Sequence, residues 1–156
     1  MAVSTQYSTL SFNGNGSTTA FSVTWQFLSG SLVVTLIDDD DVETVKTIST
    51  HYTVSGGTDS DGLPATGTVT MVTAPASGET LRIERVTPKT QATTYTNGDA
   101  FPAKTHEAAL DKATLVAQEN AYAASLVDFP DFAGNAGLVP VVNDDEDGWD
   151  FASLAG

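Results

Sequence analysis

Between residues 4 and 86 the chain consists of short β-branched and aromatic runs separated by turn-forming clusters, the pattern of an all-β domain. Seven runs stand out, at residues 7–12, 20–24, 31–37, 42–48, 51–54, 68–72 and 80–86. Within them apolar and polar positions alternate: Leu81, Ile83 and Val86 fall among Arg82, Glu84 and Arg85, and Val69 and Met71 lie between threonines. A period of two puts one face of each strand in the core and the other in water. The runs therefore predict a mainly β fold, a small antiparallel sandwich-like domain of about seven strands. The loop Asn13, Gly14, Asn15, Gly16, Ser17 accepts positive φ and predicts a hairpin between the first two runs, and residues 38–41 predict the tip of another. Residues 55–67 hold four glycines and a proline and read as a surface loop.

After Thr87 and Pro88 the pattern changes, and a polar stretch leads to Asn97, Gly98, Asp99 and Pro102, the last suited to the first turn of a helix. From residue 102 to about 127 there is no further Gly or Pro, which predicts one long helix of nearly 40 Å. Its apolar side can be read as Ala109, Ala113, Val116, Asn120, Ala123 and Val127, or from Leu110 through Ala113, Asn120 and Val127, spaced by threes and fours. Two overlapping stripes make a face wide enough for the β-domain on one side and a neighbouring helix on the other, with Asn120 at a seam position able to fix register. An amphipathic helix packed only on its own domain is the competing reading. Residues 128–156 carry Pro130, Gly134, Gly137, Pro140 and Gly148 and predict an extended arm whose Phe129, Phe132, Trp149 and Phe151 become ordered against a partner. The division expected is a β-domain at 1–88, a linker and helix at 89–127, and an arm at 128–156.

Six basic against 20 acidic residues give a net charge of −14, which opposes a phosphate backbone and favours a basic protein surface as partner. Nucleic acid and membrane are not expected partners. No stretch approaches the length of a membrane span, residues 1–10 lack the pattern of a signal peptide, and synthesis in the cytoplasm as a soluble chain is the expectation. The absence of cysteine excludes disulfides, zinc thiolates and thiol nucleophiles.

Candidate chemistry is sparse. His51 opens a predicted strand and His106 lies in the first helical turn, neither in a spacing that pairs it with a carboxylate and a nucleophile. No glycine-rich loop precedes a Lys-Ser or Lys-Thr pair, and 20 acids offer too many accidental pairs for glycoside cleavage to be read. Acidic clusters at 38–41, 59–62 and 143–148 raise calcium. In the third, Asn143, Asp145 and Asp147 fall at alternate positions before a glycine, but Leu154 stands where a bidentate Glu belongs. Solvated turns are the expectation, with calcium at those three residues the weaker alternative. Neither an enzyme nor a cofactor is expected.

Residues 95–119, and within them Gly98, Asp99, Phe101, Pro102, Ala103, Glu107, Ala109, Leu110, Asp111, Lys112 and Gln118, resemble a segment of the N-terminal tail-attachment domains of phage tail fibre and tailspike proteins, especially of short-tailed phages. In that family the segment follows a β-domain ending in an Arg-rich strand, and Leu81, Arg82, Ile83, Glu84, Arg85 and Val86 stand in that place. Residues 21–28 and 32–36 look like the opening of the same domain. The resemblance implies a structural protein of the virion tail and a homo-oligomer, expected as a trimer. Its partners would be other tail proteins, the tail tube or nozzle on one side and a fibre or spike on the other. Family members usually continue into a long shaft, so a chain of 156 residues is expected to be an adaptor. Interface residues are expected at Phe101, Pro102, Leu110, Ala113, Ala117, Asn120 and Ala124 on the helix and at Trp149 and Phe151 on the arm. A receptor- or glycan-binding module and a capsid decoration protein are the alternatives.

Overall fold

The computed structural model describes residues 3, 7–98, 100–126, 138–142 and 149–153, the last two ranges by their backbone alone. The chain falls into two compact units, Met1–Tyr122 and Ala123–Gly156, described separately below.

The first unit holds seven strands in two antiparallel sheets, as the alternation predicts. They are β1 (Thr9–Asn13), β2 (Ala20–Phe27), β3 (Leu32–Ile37), β4 (Glu43–Lys46), β5 (Tyr52–Thr58), β6 (Pro64–Met71) and β7 (Thr80–Arg85). One sheet runs β1-β7-β3-β4 and the other β2-β6-β5. Between them lies a core of Phe21, Val23, Trp25, Phe27, Tyr52, Val69 and Met71 from one sheet and Leu32, Val34, Leu81 and Ile83 from the other. Strand β2 shows the logic most plainly: Phe21, Val23, Trp25 and Phe27 are buried while Ala20, Ser22 and Thr24 face solvent.

Two expectations of pairing are corrected. The first two strands do not form a hairpin: Phe12 pairs with Leu81 of β7, and Phe21 pairs with Val69 of β6, in the opposite sheet. The loop between them crosses from sheet to sheet. Asn15 Oδ1 accepts from the N–H groups of Ser17 (3.0 Å) and Thr18 (2.8 Å), while Gly14 and Gly16 donate to Glu79 O and Pro75 O. Turn residues thus mark a reversal without saying which strands it joins.

Residues 55–67 are likewise not one surface loop, because β5 continues to Thr58 and β6 begins at Pro64. The glycines there serve close packing. Gly56 pairs with Gly67 beside a register shift, and the buried ring of Phe27 rests against Gly57 and Gly67. The expected 38–41 tip is observed between β3 and β4, where Asp38 Oδ1 accepts from Asp40 N (3.0 Å) and Val42 N (2.9 Å).

Helix α1 spans Ala103–Ser125, 23 residues or about 35 Å, immediately after Pro102. In the second unit, β8 (Leu138–Val142) and β9 (Trp149–Ser153) pair antiparallel, Leu138 opposite Ser153 and Val142 opposite Trp149. The expected extended arm therefore holds two strands paired with each other, which satisfies backbone groups along their shared edge. Asp99, Val127, Phe129, Phe132, Asn143, Asp145, Asp147 and Leu154 lie outside the described residues.

Candidate functional site: the helix and its clamp

Along β7 the inward positions are Leu81, Ile83 and then Arg85, so the strand's alternation carries a guanidinium into the interior. The Arg85 side chain is fully buried and makes three contacts of different origin. Its Nε donates to Glu119 Oε1 (2.8 Å), Nη1 to the carbonyl of Gln26 (2.7 Å) and Nη2 to Gln118 Oε1 (2.9 Å). Its planar head also stands 5.6 Å from the centre of the Trp25 ring. Burial pushes the guanidinium below its ordinary range while Glu119 pulls it back up, and arginine's high intrinsic value keeps it cationic.

Glu119 is the hub on the helix side. Besides Arg85 it accepts from Thr87 N (2.9 Å) and Thr87 Oγ1 (2.6 Å), so one carboxylate ties α1 to the strand end and to the turn after it. Removing one member of a buried pair strands the other's charge, at a cost of the order of 3–5 kcal/mol. Lysines extend the attachment: Lys89 Nζ donates to Asn120 Oδ1 (2.9 Å) and Lys112 Nζ to the carbonyl of Thr90. Lys104 lies 3.3 Å from Asp61, an exposed pair of small energetic weight.

The face of α1 turned to the β-domain is the one carrying Asp111, Leu115, Gln118 and Glu119. Leu115 is fully buried and Asp111 is 7% exposed, with its Oδ2 lacking a hydrogen-bond partner, as does Trp25 Nε1. Leu110, Ala113, Ala117, Asn120 and Ala124 all face solvent. Of the other apolar positions read from spacing, Ala109 and Val116 are half-buried and Ala123 is exposed. Asn120 already has a partner in its own chain, Lys89. Phe101 (67% exposed) and Pro102 border the helix start, where Phe101 and His106 rings lie 5.1 Å apart and Tyr95 Oη is 3.0 Å from His106 Nδ1. His51 instead caps its own turn, Nδ1 accepting from Thr47 N (3.0 Å). Trp149 and Phe151 sit on β9 opposite Val142 and Pro140; their side chains lie outside the described residues.

Arg85, Thr87, Leu115 and Glu119 were not singled out by spacing. Their signal was present in the sequence: Arg85 continues the inward register of Leu81 and Ile83, and Asp111, Leu115 and Glu119 recur every four residues. A stripe that is two-thirds acidic does not register as an apolar face, which is why alanines dominated the helical reading. Among the described residues no group of three or more His, Cys, Asp or Glu is placed to hold a metal ion, and no helix is long and apolar enough to cross a membrane.

Fold and site together define a small β-sandwich module with a clamped helix that leaves an alanine-lined face in solvent. The chain belongs to the family described as phage T7 tail fibre protein, N-terminal domain, which matches residues 1–127. It is also 36% identical over 120 residues to the tail spike protein of Salmonella phage epsilon15, a match covering 76% of this chain and 11% of that protein. The chain thus spans about a tenth of the length of the curated relative it matches, 11%. It is a structural protein of a bacteriophage, of the virion tail.

Proposed function

We propose that this chain is an adaptor that attaches a fibre or spike to the tail, with its β-domain docked on the tail and its helix joining copies of itself into a trimer. The single observation that carries the reading is the helix face. Leu110, Ala117 and Ala124 recur every seven residues, Ala113 and Asn120 interleave with them, and all five are exposed on a helix whose opposite side is fixed by Arg85 and Glu119. Small residues at such positions let identical helices approach closely around an axis. Alanine layers bury little area each, so the β-domains and the C-terminal strands must contribute to the contact. Those strands, with Trp149 and Phe151, are the surface for the next tail protein, and no catalytic role is assigned.

Sedimentation equilibrium of the full chain tests this. A trimer that Ala117→Arg converts to a folded monomer is the expected result, because position 117 is exposed and tolerates the longer side chain in an isolated chain. A wild-type monomer at all accessible concentrations would sink the reading. A second reading, glycan binding, draws on a cleft of about 650 Å³ lined by Tyr95, Asn97, Phe101, Pro102 and His106, aromatic platforms beside polar groups. A glycan array that finds a ligand lost in Phe101→Ala would favour it.

A further inference from the structure

We infer that α1 is a releasable arm: a polar latch centred on Arg85 and Glu119 holds it closed on the β-domain, and it can open as a unit while both sheets stay folded. The inference goes beyond attachment and trimer formation and rests on neither.

The first support is where the core lies. All eleven residues of the buried hydrophobic cluster come from strands, and the only large apolar side chain that α1 buries is Leu115. The core of the sandwich is therefore built without the helix, and on the helix side undocking exposes one large apolar side chain.

The second is what fills the contact instead. Arg85 to Glu119 and Gln118, Thr87 to Glu119, Lys89 to Asn120 and Lys112 to the Thr90 carbonyl are all hydrogen bonds or ion pairs. Such bonds are exchanged for bonds to water on opening, so each contributes little net free energy. The geometry also makes the latch all-or-none. Arg85 engages Gln118 and Glu119 through separate nitrogens while a third bonds the Gln26 carbonyl, so a shift of the helix by one residue loses both helix contacts together.

The third is a local cost that opening removes. Asp111 is buried against the domain with Oδ2 lacking a partner, and release returns that oxygen to water. The chain between β7 and α1 can accommodate the movement. The described residues between 88 and 101 form no regular element, and Gly98, at φ +92° with nothing within 4 Å of the place a Cβ would occupy, is a natural pivot. An arm built this way can re-aim its exposed alanine face without disturbing the sandwich.

Native-state hydrogen exchange read by mass spectrometry tests the latch on the full chain and on Ala117→Arg, so that protection by self-association is separated from protection by the clamp. Amides of residues 107–122 are expected to exchange at least about tenfold faster than those of β2, β3, β6 and β7 in both proteins. Glu119→Gln should accelerate the helix amides by a further tenfold or so and leave the sheet amides unchanged. The paired apolar variant Arg85→Met with Glu119→Met should restore helix protection, since matched apolar groups leave no stranded charge. A single common rate for helix and sheets in Ala117→Arg, or equal acceleration of both by Glu119→Gln, would show one cooperative unit and overturn the inference.

Discussion

Phe27 is fully buried in this sandwich because two glycines make room for its ring. A Cβ at Gly67 would stand 2.8 Å from Phe27 Cζ and clash with the Ser55 carbonyl, and Gly57, at φ +95°, lies against the other edge of the ring. Gly67→Ala should therefore destabilise the domain by roughly 2 kcal/mol, as overpacking of a tight core does, and urea denaturation will read it. A midpoint unchanged from wild type would mean that both the ring and the Ser55 backbone have space to retreat. Exposed carboxylates are also specific. Bonds from the Leu63 and Asp61 amides hold Asp59 below the ordinary carboxylate range, and the Arg82 guanidinium does the same for Glu43. A depressed folded-state value means that the ionised form is the one the fold favours. Its contribution is present above the ordinary carboxylate value and is lost as pH falls through the depressed one. Carboxyl-carbon NMR from about pH 6 to about pH 2 should show both groups titrating below their ordinary values, and Arg82→Ala should return Glu43 alone to its own.

At the scale of elements, strands and helix differ in how they announce themselves. Strands β2 and β7 are legible because their apolar residues keep a strict period of two, and α1 because Pro102 is followed by 27 residues free of Gly and Pro. Pairing was legible only where a turn closes neighbouring strands, as at β3–β4; the 13–17 loop crosses between sheets, and nothing in a loop's composition records that. Glycines at 56, 57 and 67 looked like loop and proved to be packing, since the sequence does not show which ring a glycine faces. The helix clamp was hidden for a related reason: a buried Arg and Glu count as polar in any periodicity, although their register was correct. This makes Leu115 decisive as the one large apolar anchor of α1. Leu115→Ala should weaken docking by about 3 kcal/mol and leave the sheets intact. Trypsin cleavage after Lys112 reads this directly, because Lys112 sits on the docked helix and is held to the Thr90 carbonyl. Cleavage no faster than in wild type would mean that the polar contacts suffice without Leu115.

For the whole molecule the governing quantity is charge. The chain carries −14, and five of its six basic side chains are engaged internally: Arg82 with Glu43 and Glu84, Arg85 with Glu119, Lys104 with Asp61, Lys89 with Asn120 and Lys112 with Thr90. The net field of the chain is therefore negative, and it acts oppositely on the two contacts the proposed adaptor would make. Copies of the chain repel one another, so the proposed trimer would form against electrostatic work that salt screens. A basic tail surface attracts the same field, and salt weakens that attraction. Raising salt from about 0.05 to about 0.5 M should accordingly tighten self-association in sedimentation equilibrium and loosen binding of the same protein to fibre-less tails in a pull-down. The two slopes are independent checks. Tail binding that strengthens with salt would remove the basic dock, and self-association that weakens with salt would require complementary charges between copies outside the helix seam, whose exposed positions Leu110, Ala113, Ala117, Asn120 and Ala124 carry none.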